Sequence, residues 1–409
     1  MTETSNSGVA DQSKRRWAIV SLASIPLIMT LGNSMLIPIL PLMEKELGIS
    51  AMQSSYIITV YSIVAIILIP VAGFLSDRFG RKKVIIPALI LTGAGGLISG
   101  IASWKMDDPF IIILLGRILQ GIGASGAAPI VLPLVGDMFQ RDEDASSTMG
   151  IIETSNTAGK VLSPILGSAL ATVIWYLPFL SIPVFSLVSV LLVAFLIQTK
   201  DNDAGNNEDE PFTLKAYLKL IKSVFKEHSR WLYAVFAIGA ILMFILFGFL
   251  FYLSSILEDT FGYEGIWKGL MLAVPLLALA IASYISGKQI KDNLVVMKWV
   301  TFIGIVLAGS SVIAIPFKAH PVYLLTIFFL CGTGIGMALP ALDALITKSL
   351  DKDVRGIVTS IYSAMRFIGV AAGPPTIAFL MTKDIAWIAG LLAIFALGAG
   401  WLAYRNIDP

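Results

Sequence analysis

Charge is what this sequence has least of. Only 14% of its 409 residues are Asp, Glu, Lys or Arg, where soluble domains carry roughly a quarter. A water-facing surface cannot be covered with so few charges, so a soluble enzyme and a soluble nucleic-acid binder are both excluded. With 56% hydrophobic residues, disorder is excluded too. Cysteine is nearly absent: Cys331 stands alone, so there is no intrachain disulfide framework and no cysteine metal site. The two histidines, His228 and His320, fall near expected helix ends, which argues against a zinc or haem site. A net charge of +2 implies no bulk electrostatic partner. No cleavable leader is expected, because a polar stretch of 16 residues precedes an apolar run long enough to span and stay.

What the chain has is apolar length, with a mean hydropathy of +0.84. Spanning a bilayer takes about 20 apolar residues in a helix. Twelve such runs are visible, near 17–42, 52–74, 84–103, 109–135, 146–171, 175–197, 231–254, 266–286, 294–316, 321–346, 356–380 and 385–404. The fold expected is an all-α membrane protein of 12 transmembrane helices in two pseudo-symmetric six-helix bundles. The organisation expected is a first bundle over 1–197, a linker over 198–230 and a second bundle over 231–409. In the linker, Lys215, Lys219, Lys222 and Lys226 alternate with Leu218, Ile221 and Phe225 at helical spacing, which reads as an amphipathic helix on the membrane surface.

Lysine and arginine set the orientation. Placing both termini in the cytoplasm puts 21 cations on that side and five (Lys45, Lys105, Lys268, Lys318 and Lys383) on the other. The expected location is the cell membrane, multi-pass, with cytoplasmic termini.

The two halves resemble each other. Gly121, Gly123 and Pro129 match Gly332, Gly334 and Pro340 at an offset of 211. Gly159 and Pro164 match Gly369 and Pro374 at 210, and Gly73 matches Gly287 at 214. A near-constant offset indicates a duplicated six-helix unit, an architecture common among secondary transporters, which place the substrate site between the repeats.

Three motifs follow. The loop after the second span reads Gly73-Phe-Leu-Ser-Asp77-Arg78-Phe-Gly80-Arg81-Lys-Lys83. Gly73 and Gly80 permit close approach and a sharp turn. Asp77 can accept from the first amides of a neighbouring helix, and Arg81 can pair with Asp137. The fourth span carries Arg117, Gln120, Gly121 and Gly123. The fifth carries Gly150, Gly159, Ser163, Pro164 and Gly167, small residues for close packing with a proline expected to bend the helix. Together these resemble the major facilitator superfamily, and the stretch from Gly32 to Pro41 is similar to the first helix of its bacterial drug–proton antiporters. The resemblance covers essentially the whole chain. It implies that Gly73, Asp77, Arg78, Gly80, Arg81 and Asp137 form a latch holding the halves in an outward-open state. It also implies that the fifth-span residues form an antiporter hinge. The family pattern has glycine where Ser163 and Ser168 stand.

With loop charges set aside, Arg117, Glu153, Lys160, Asp343 and Arg366 remain inside spans, and intramembrane charge marks function by default. Glu153 is the first candidate for proton coupling, with Arg117 and Asp343 beside it. A structural pair of Glu153 with Lys160 or with Arg117 stands as the alternative, and for Arg117 a purely structural arginine bonded to backbone carbonyls. Asn33, Tyr56, Arg117, Lys160, Phe247, Phe251, Tyr362 and Arg366 are expected to line a substrate cavity. The resemblance implies proton-coupled efflux of small amphiphilic compounds by a monomer, with the proton gradient as energy source and no cofactor. The alternative is export of a defined anionic metabolite, siderophore or glycolipid, which the three buried cations against two acids would suit. A membrane enzyme is disfavoured because no histidine or paired-acid cluster lies in a span, and no phosphate-binding loop indicates direct use of ATP.

Overall fold

The computed structural model describes residues 4–139, 142–197, 229–290, 293–317, 320–350 and 352–407. The proposed surface helix of the linker lies outside them. Among the described residues there are twelve long helices, in chain order: α1 (Thr4–Ser34), α2 (Ala51–Phe79), α3 (Arg81–Lys105), α4 (Phe110–Met138), α5 (Asp142–Val173), α6 (Leu177–Leu196), α7 (Ser229–Asp259), α8 (Gly265–Ile290), α9 (Leu294–Ile313), α10 (Pro321–Ser349), α11 (Lys352–Leu380) and α12 (Ile385–Asn406). Eleven of them belong to segments long and apolar enough to cross a membrane. The exception is α5, which carries Glu153 and Lys160. Large apolar side chains such as Phe195, Ile67, Trp267 and Leu397 stand exposed on the outside, where a lipid solvent welcomes them.

Local chemistry sets several boundaries. The first run was expected as one span over 17–42. Instead α1 ends at Ser34, a 3₁₀ turn covers Ile37–Ile39 and a short helix covers Leu40–Leu47. Pro38 and Pro41 lack the amide that a continuous helix needs. Ser50 and Gln53 form a reciprocal cap at the start of α2, satisfying amides that the first helical turn leaves free. Gly80 turns the chain into α3 with φ +96°, a conformation that only glycine adopts without strain. Gly73, expected to help that turn, lies within α2. Lys82 Nζ donates to the carbonyls of Ala194 at 2.9 Å and Ile197 at 2.6 Å, closing the end of α6.

The duplication is visible in the packing. In the first half α1 packs on α5, α3 on α4, α2 on α4 and α3 on α6. In the second half α7 packs on α11, α9 on α10, α8 on α10 and α9 on α12. The matched glycines serve matched contacts. A Cβ on Gly121 of α4 would meet the Tyr61 carbonyl of α2, and one on Gly332 of α10 would meet the Pro275 carbonyl of α8. Two residues on, Gly123 faces α3 and Gly334 faces α9 in the same way. Between the halves, α2 packs on α11 and α5 on α8, an exchange of partners that a two-fold pseudo-axis produces.

Twelve long helices running alternately up and down put both ends of the chain on one side of the bundle, together with Arg16, Arg78, Lys83, Lys288 and Arg405. At the opposite end the halves are joined. One apolar cluster runs from Leu36, Ile37, Leu40 and Met43 of the first half into Leu250, Leu253 and Leu257 of the second. Thr59 Oγ1 donates to the Ala371 carbonyl at 2.8 Å, and Ser254 Oγ to the Ile37 carbonyl at 3.1 Å. Lys45 and Lys268, both counted among the five cations opposite the termini, donate to Glu258. Lys45 Nζ lies 2.8 Å from Glu258 Oε1 and 3.6 Å from Asp259 Oδ1. The Glu258 and Lys268 side chains are 4% and 3% exposed, whereas Lys45 is half exposed.

Glu258→Gln leaves Lys268 charged and buried without a counter-ion, at a cost of about 3 kcal/mol. Lys45→Ala removes a half-exposed partner, at a cost of about 0.5 kcal/mol. Thermal denaturation of the purified protein in one detergent is expected to show a clear loss of midpoint for the first variant and a small one for the second.

Candidate substrate cavity

A cavity of about 450 Å³ lies between the halves. Its wall takes Thr30 and Asn33 from α1, Tyr61 from α2, Glu153, Asn156 and Lys160 from α5, Met243 and Phe247 from α7, Asp343 from α10, and Tyr362, Arg366 and Phe367 from α11. It extends to Met149 and Thr347 toward the end that carries the termini. The opposite end is the sealed one. The wall is mostly apolar and aromatic with a few charged anchors, the usual make-up of a small-molecule site.

Four charged groups face this space. Asp343 Oδ1 lies 3.6 Å from Arg366 Nη1, with the two side chains 46% and 23% exposed. Arg366 also stands over the Tyr362 ring at 5.6 Å, within cation–π range. Glu153 is exposed to the cavity. Asn156 Nδ2 donates to its oxygens at 3.3 and 3.5 Å, and Thr30 Oγ1 donates to Asn156 Oδ1 at 2.6 Å. Thr30 and Asn156 thus tether Glu153 to α1. Among the described residues, no carboxylate lies within ion-pair distance of Lys160.

Arg117 was expected beside the titrating carboxylates and in the cavity wall. It stands elsewhere, fully buried in the first half. Nε donates to the Ile57 carbonyl at 2.8 Å and Nη2 to Asn33 Oδ1 at 2.5 Å. Nη1 donates to Gln120 Oε1 at 2.5 Å and, more weakly, to the Gly32 carbonyl at 3.4 Å. The Tyr61 ring covers it at 4.4 Å. Its partners are neutral and come from α1, α2 and its own helix, so it ties these three together. Asn33 does reach the wall, with its oxygen committed to Arg117.

Two aromatics were also misplaced by sequence reasoning. Phe251 is buried in the second-half core, and Tyr56 is exposed near the start of α2; neither lines the cavity. Phe247 and Tyr362 do. A run of aromatics on one helix shows no face until its neighbours are known. Thr30, Asn156, Met149 and Phe367 were missed. Asn156 carried a signal, being a polar residue three positions from Glu153 on the same helix face.

The motif residues divide. Arg81 pairs with Asp137, as expected, and with Asp77 at 3.1 Å. All three belong to the first half. Arg78 lies over the Phe79 ring. On α5 the helix continues through Pro164. Gly159 packs against Leu27 and Thr30 of α1, and Gly167 against the Met35 backbone. Ser163 Oγ donates to the Lys160 carbonyl at 2.9 Å. Gly269 of α8 packs on the Pro164 carbonyl and on Ser168, leaving no room for a Cβ at 269. A Cβ on Gly150 would meet no atom of another described element within 4 Å, so this glycine is not required by that seam.

Arg117→Met removes five donors at once and leaves Asn33, Gln120 and the Ile57 carbonyl unsatisfied, which is expected to cost about 3 kcal/mol. The recovery of monodisperse protein from size-exclusion chromatography after mild heating should fall sharply, while Arg78→Gln should recover like the parent.

A family model described as the Major Facilitator Superfamily matches residues 22–374 and 295–409. Among curated relatives, the bacillibactin exporter of Bacillus subtilis (strain 168) is 51% identical over 379 residues, covering 92% of each chain. The class C tetracycline resistance protein of Escherichia coli is 24% identical, covering 91% of this chain and 93% of that protein. Among solved structures, a bacterial homologue of the human lysosomal transporter Spinster, inward-facing and occupied, aligns with a TM-score of 0.73 at 15% identity, covering 96% of this chain and 97% of its own. The human organic anion transporter MFSD10 (TETRAN) aligns with a TM-score of 0.71 at 15% identity, covering 95% and 99%. At that identity the two structures speak for the fold alone. The chain belongs to the Major Facilitator Superfamily and is a multi-pass membrane transporter, not an enzyme.

Proposed function

We propose that this protein is a proton-coupled exporter of an anionic small metabolite, bacillibactin or a siderophore like it. The observation that carries this reading is the 51% identity, over nearly the whole of both chains, to a bacillibactin exporter. Sequence motifs alone rank amphiphilic drugs first, and relatives near 24% identity include tetracycline resistance proteins. The nearer relationship reverses that order. The cavity charges agree with it: Lys160 and Arg366 face the space where a ligand would sit.

The protein works as a monomer in the cell membrane with its termini in the cytoplasm, by alternating access. In the present state the cavity is sealed at the outer end, so substrate is loaded from the cytoplasm. Glu153 carries the proton. It is exposed to the cavity, and the Thr30–Asn156 chain links its carboxylate to α1. Protonation removes a charge from one helix at the interface between halves, and substrate favours the other orientation. Each ligand shifts the balance only by its differential affinity for the two states. The Asp77–Arg81–Asp137 cluster lies within the first half in the present state and acts as the cytoplasmic latch when that end closes on the second half.

Cells lacking the protein should accumulate bacillibactin inside and release less of it, by mass spectrometry of cells and medium, and the intact gene should restore release. Unchanged release together with new sensitivity to amphiphilic drugs would replace this reading with multidrug efflux. In inside-out vesicles, Glu153→Gln should abolish uptake driven by an imposed pH gradient while substrate binding persists. Full gradient-driven uptake by that variant would remove Glu153 from the mechanism.

A further inference from the structure

The cavity charges are arranged in a way that export of an anion does not by itself require. Two cations face the space from opposite halves: Lys160 on α5 and Arg366 on α11. At the repeat offset of 210, Arg366 stands where the first half has Asn156. Only one of the two cations is occupied. Arg366 holds the Asp343 carboxylate, while Lys160 has no carboxylate within ion-pair distance among the described residues.

The Arg366–Asp343 pair has the features of a contact built to be exchanged. Charge-assisted N–H···O bonds run about 2.7–2.9 Å, and this contact is 3.6 Å, too long for such a bond. Asp343 is nearly half exposed to the cavity, so water already competes for it. Arg366 is held from another side by the Tyr362 ring, which fixes its position without using its forked donors. An incoming acid group can take those donors in a two-point contact that Asp343 does not make.

We propose that Asp343 is an internal stand-in for the acid group of the substrate. It occupies Arg366 when the cavity is empty and is displaced when an anionic ligand bridges Arg366 and Lys160. This deepens the export reading above and rests on it for the ligand's physiological identity, but the exchange itself is a property of the cavity. Two consequences follow. Neutral amphiphiles cannot displace Asp343, so the pair selects for negative charge within an otherwise apolar wall. A bridging anion also draws α5 and α11 together across the seam, which makes occupancy depend on the relative position of the halves.

The test uses a matched pair of probes: 1-naphthoate and its uncharged isostere 1-naphthamide. Equilibrium dialysis would be run against the purified full chain in lipid nanodiscs, with empty discs as the reference. Neutralising a competitor and neutralising a site must act in opposite directions. Asp343→Asn is expected to tighten naphthoate about fivefold, and Arg366→Gln and Lys160→Gln to weaken it about tenfold, as the gain or loss of one charge contact predicts. The amide should bind equally to all four proteins. Asp343→Ser serves the same purpose if the Asn variant folds poorly.

If the pair merely clamps α10 to α11, Asp343→Asn and Arg366→Gln will weaken both probes together. That result overturns the proposal, as does naphthoate binding that is unchanged in Asp343→Asn or undetectable in the parent. A cell that releases bacillibactin normally without this protein would overturn the siderophore assignment and leave the dialysis pattern intact.

Discussion

The cost of charge in hydrocarbon governs this molecule. An ionised side chain in a span must be bonded on every side or face a water-filled space. Arg117 takes the first solution. Its donors are spent on two side-chain oxygens and two backbone carbonyls, and an aromatic ring covers its face. Glu153, Lys160, Asp343 and Arg366 take the second and converge on one cavity. The same solvent sorts the two groups: a charge that its neighbours satisfy completely has nothing left to offer a ligand, and an incompletely satisfied one has.

The frame that permits this is built from close approach. Hydrophobic burial cannot drive helices together in lipid, so contact depends on small residues and on shape. The paired glycines of α4 and α10 let each of these helices lie against two neighbours in its own half. Gly269 and Ser168 do so between halves. Because the glycine contacts repeat with the sequence offset, the pseudo-axis is a consequence of duplication, and the cavity lies where the two copies meet. The α2–α11 and α5–α8 contacts then define the seam, leaving a space between them that neither half encloses alone.

Much of this was legible from residues alone. Apolar length marked eleven of the spans, the glycine offsets marked the repeat, and Arg81–Asp137 followed from a loop motif. The failures share a cause. Which way a side chain points from a uniformly apolar helix is set by the neighbours, not by periodicity, because lipid and protein core attract the same residues. Hence Tyr56 and Phe251 were placed in a wall that they do not form. Arg117 had two readings, a cavity residue and a structural arginine bonded to carbonyls; its partners are neutral, which scanning for counter-charges cannot see, and the structure favours the second. Glu258 and Lys268 escaped notice for the opposite reason. They sit at the ends of adjacent helices away from the chain termini; Glu258 lies past the expected end of its span at 254, and only because α7 runs on to Asp259 does it meet Lys268.

That last cluster bears on how the sealed end can open. Glu258 is almost fully buried and binds two lysines, one from each half. Were Lys45 its sole partner, parting the halves would strand a carboxylate in an apolar setting, at a cost of several kcal/mol. Lys268 prevents this, because it belongs to the same half as Glu258 and moves with it. Opening therefore separates only Lys45, whose ammonium is half exposed already and gains water as it leaves. Asp259 beside it is equally exposed, so that contact too exchanges one polar environment for another. The apolar cluster from Leu36 to Leu257 then carries most of the resistance to opening, and the ion pairs set register between the halves more than they hold them shut.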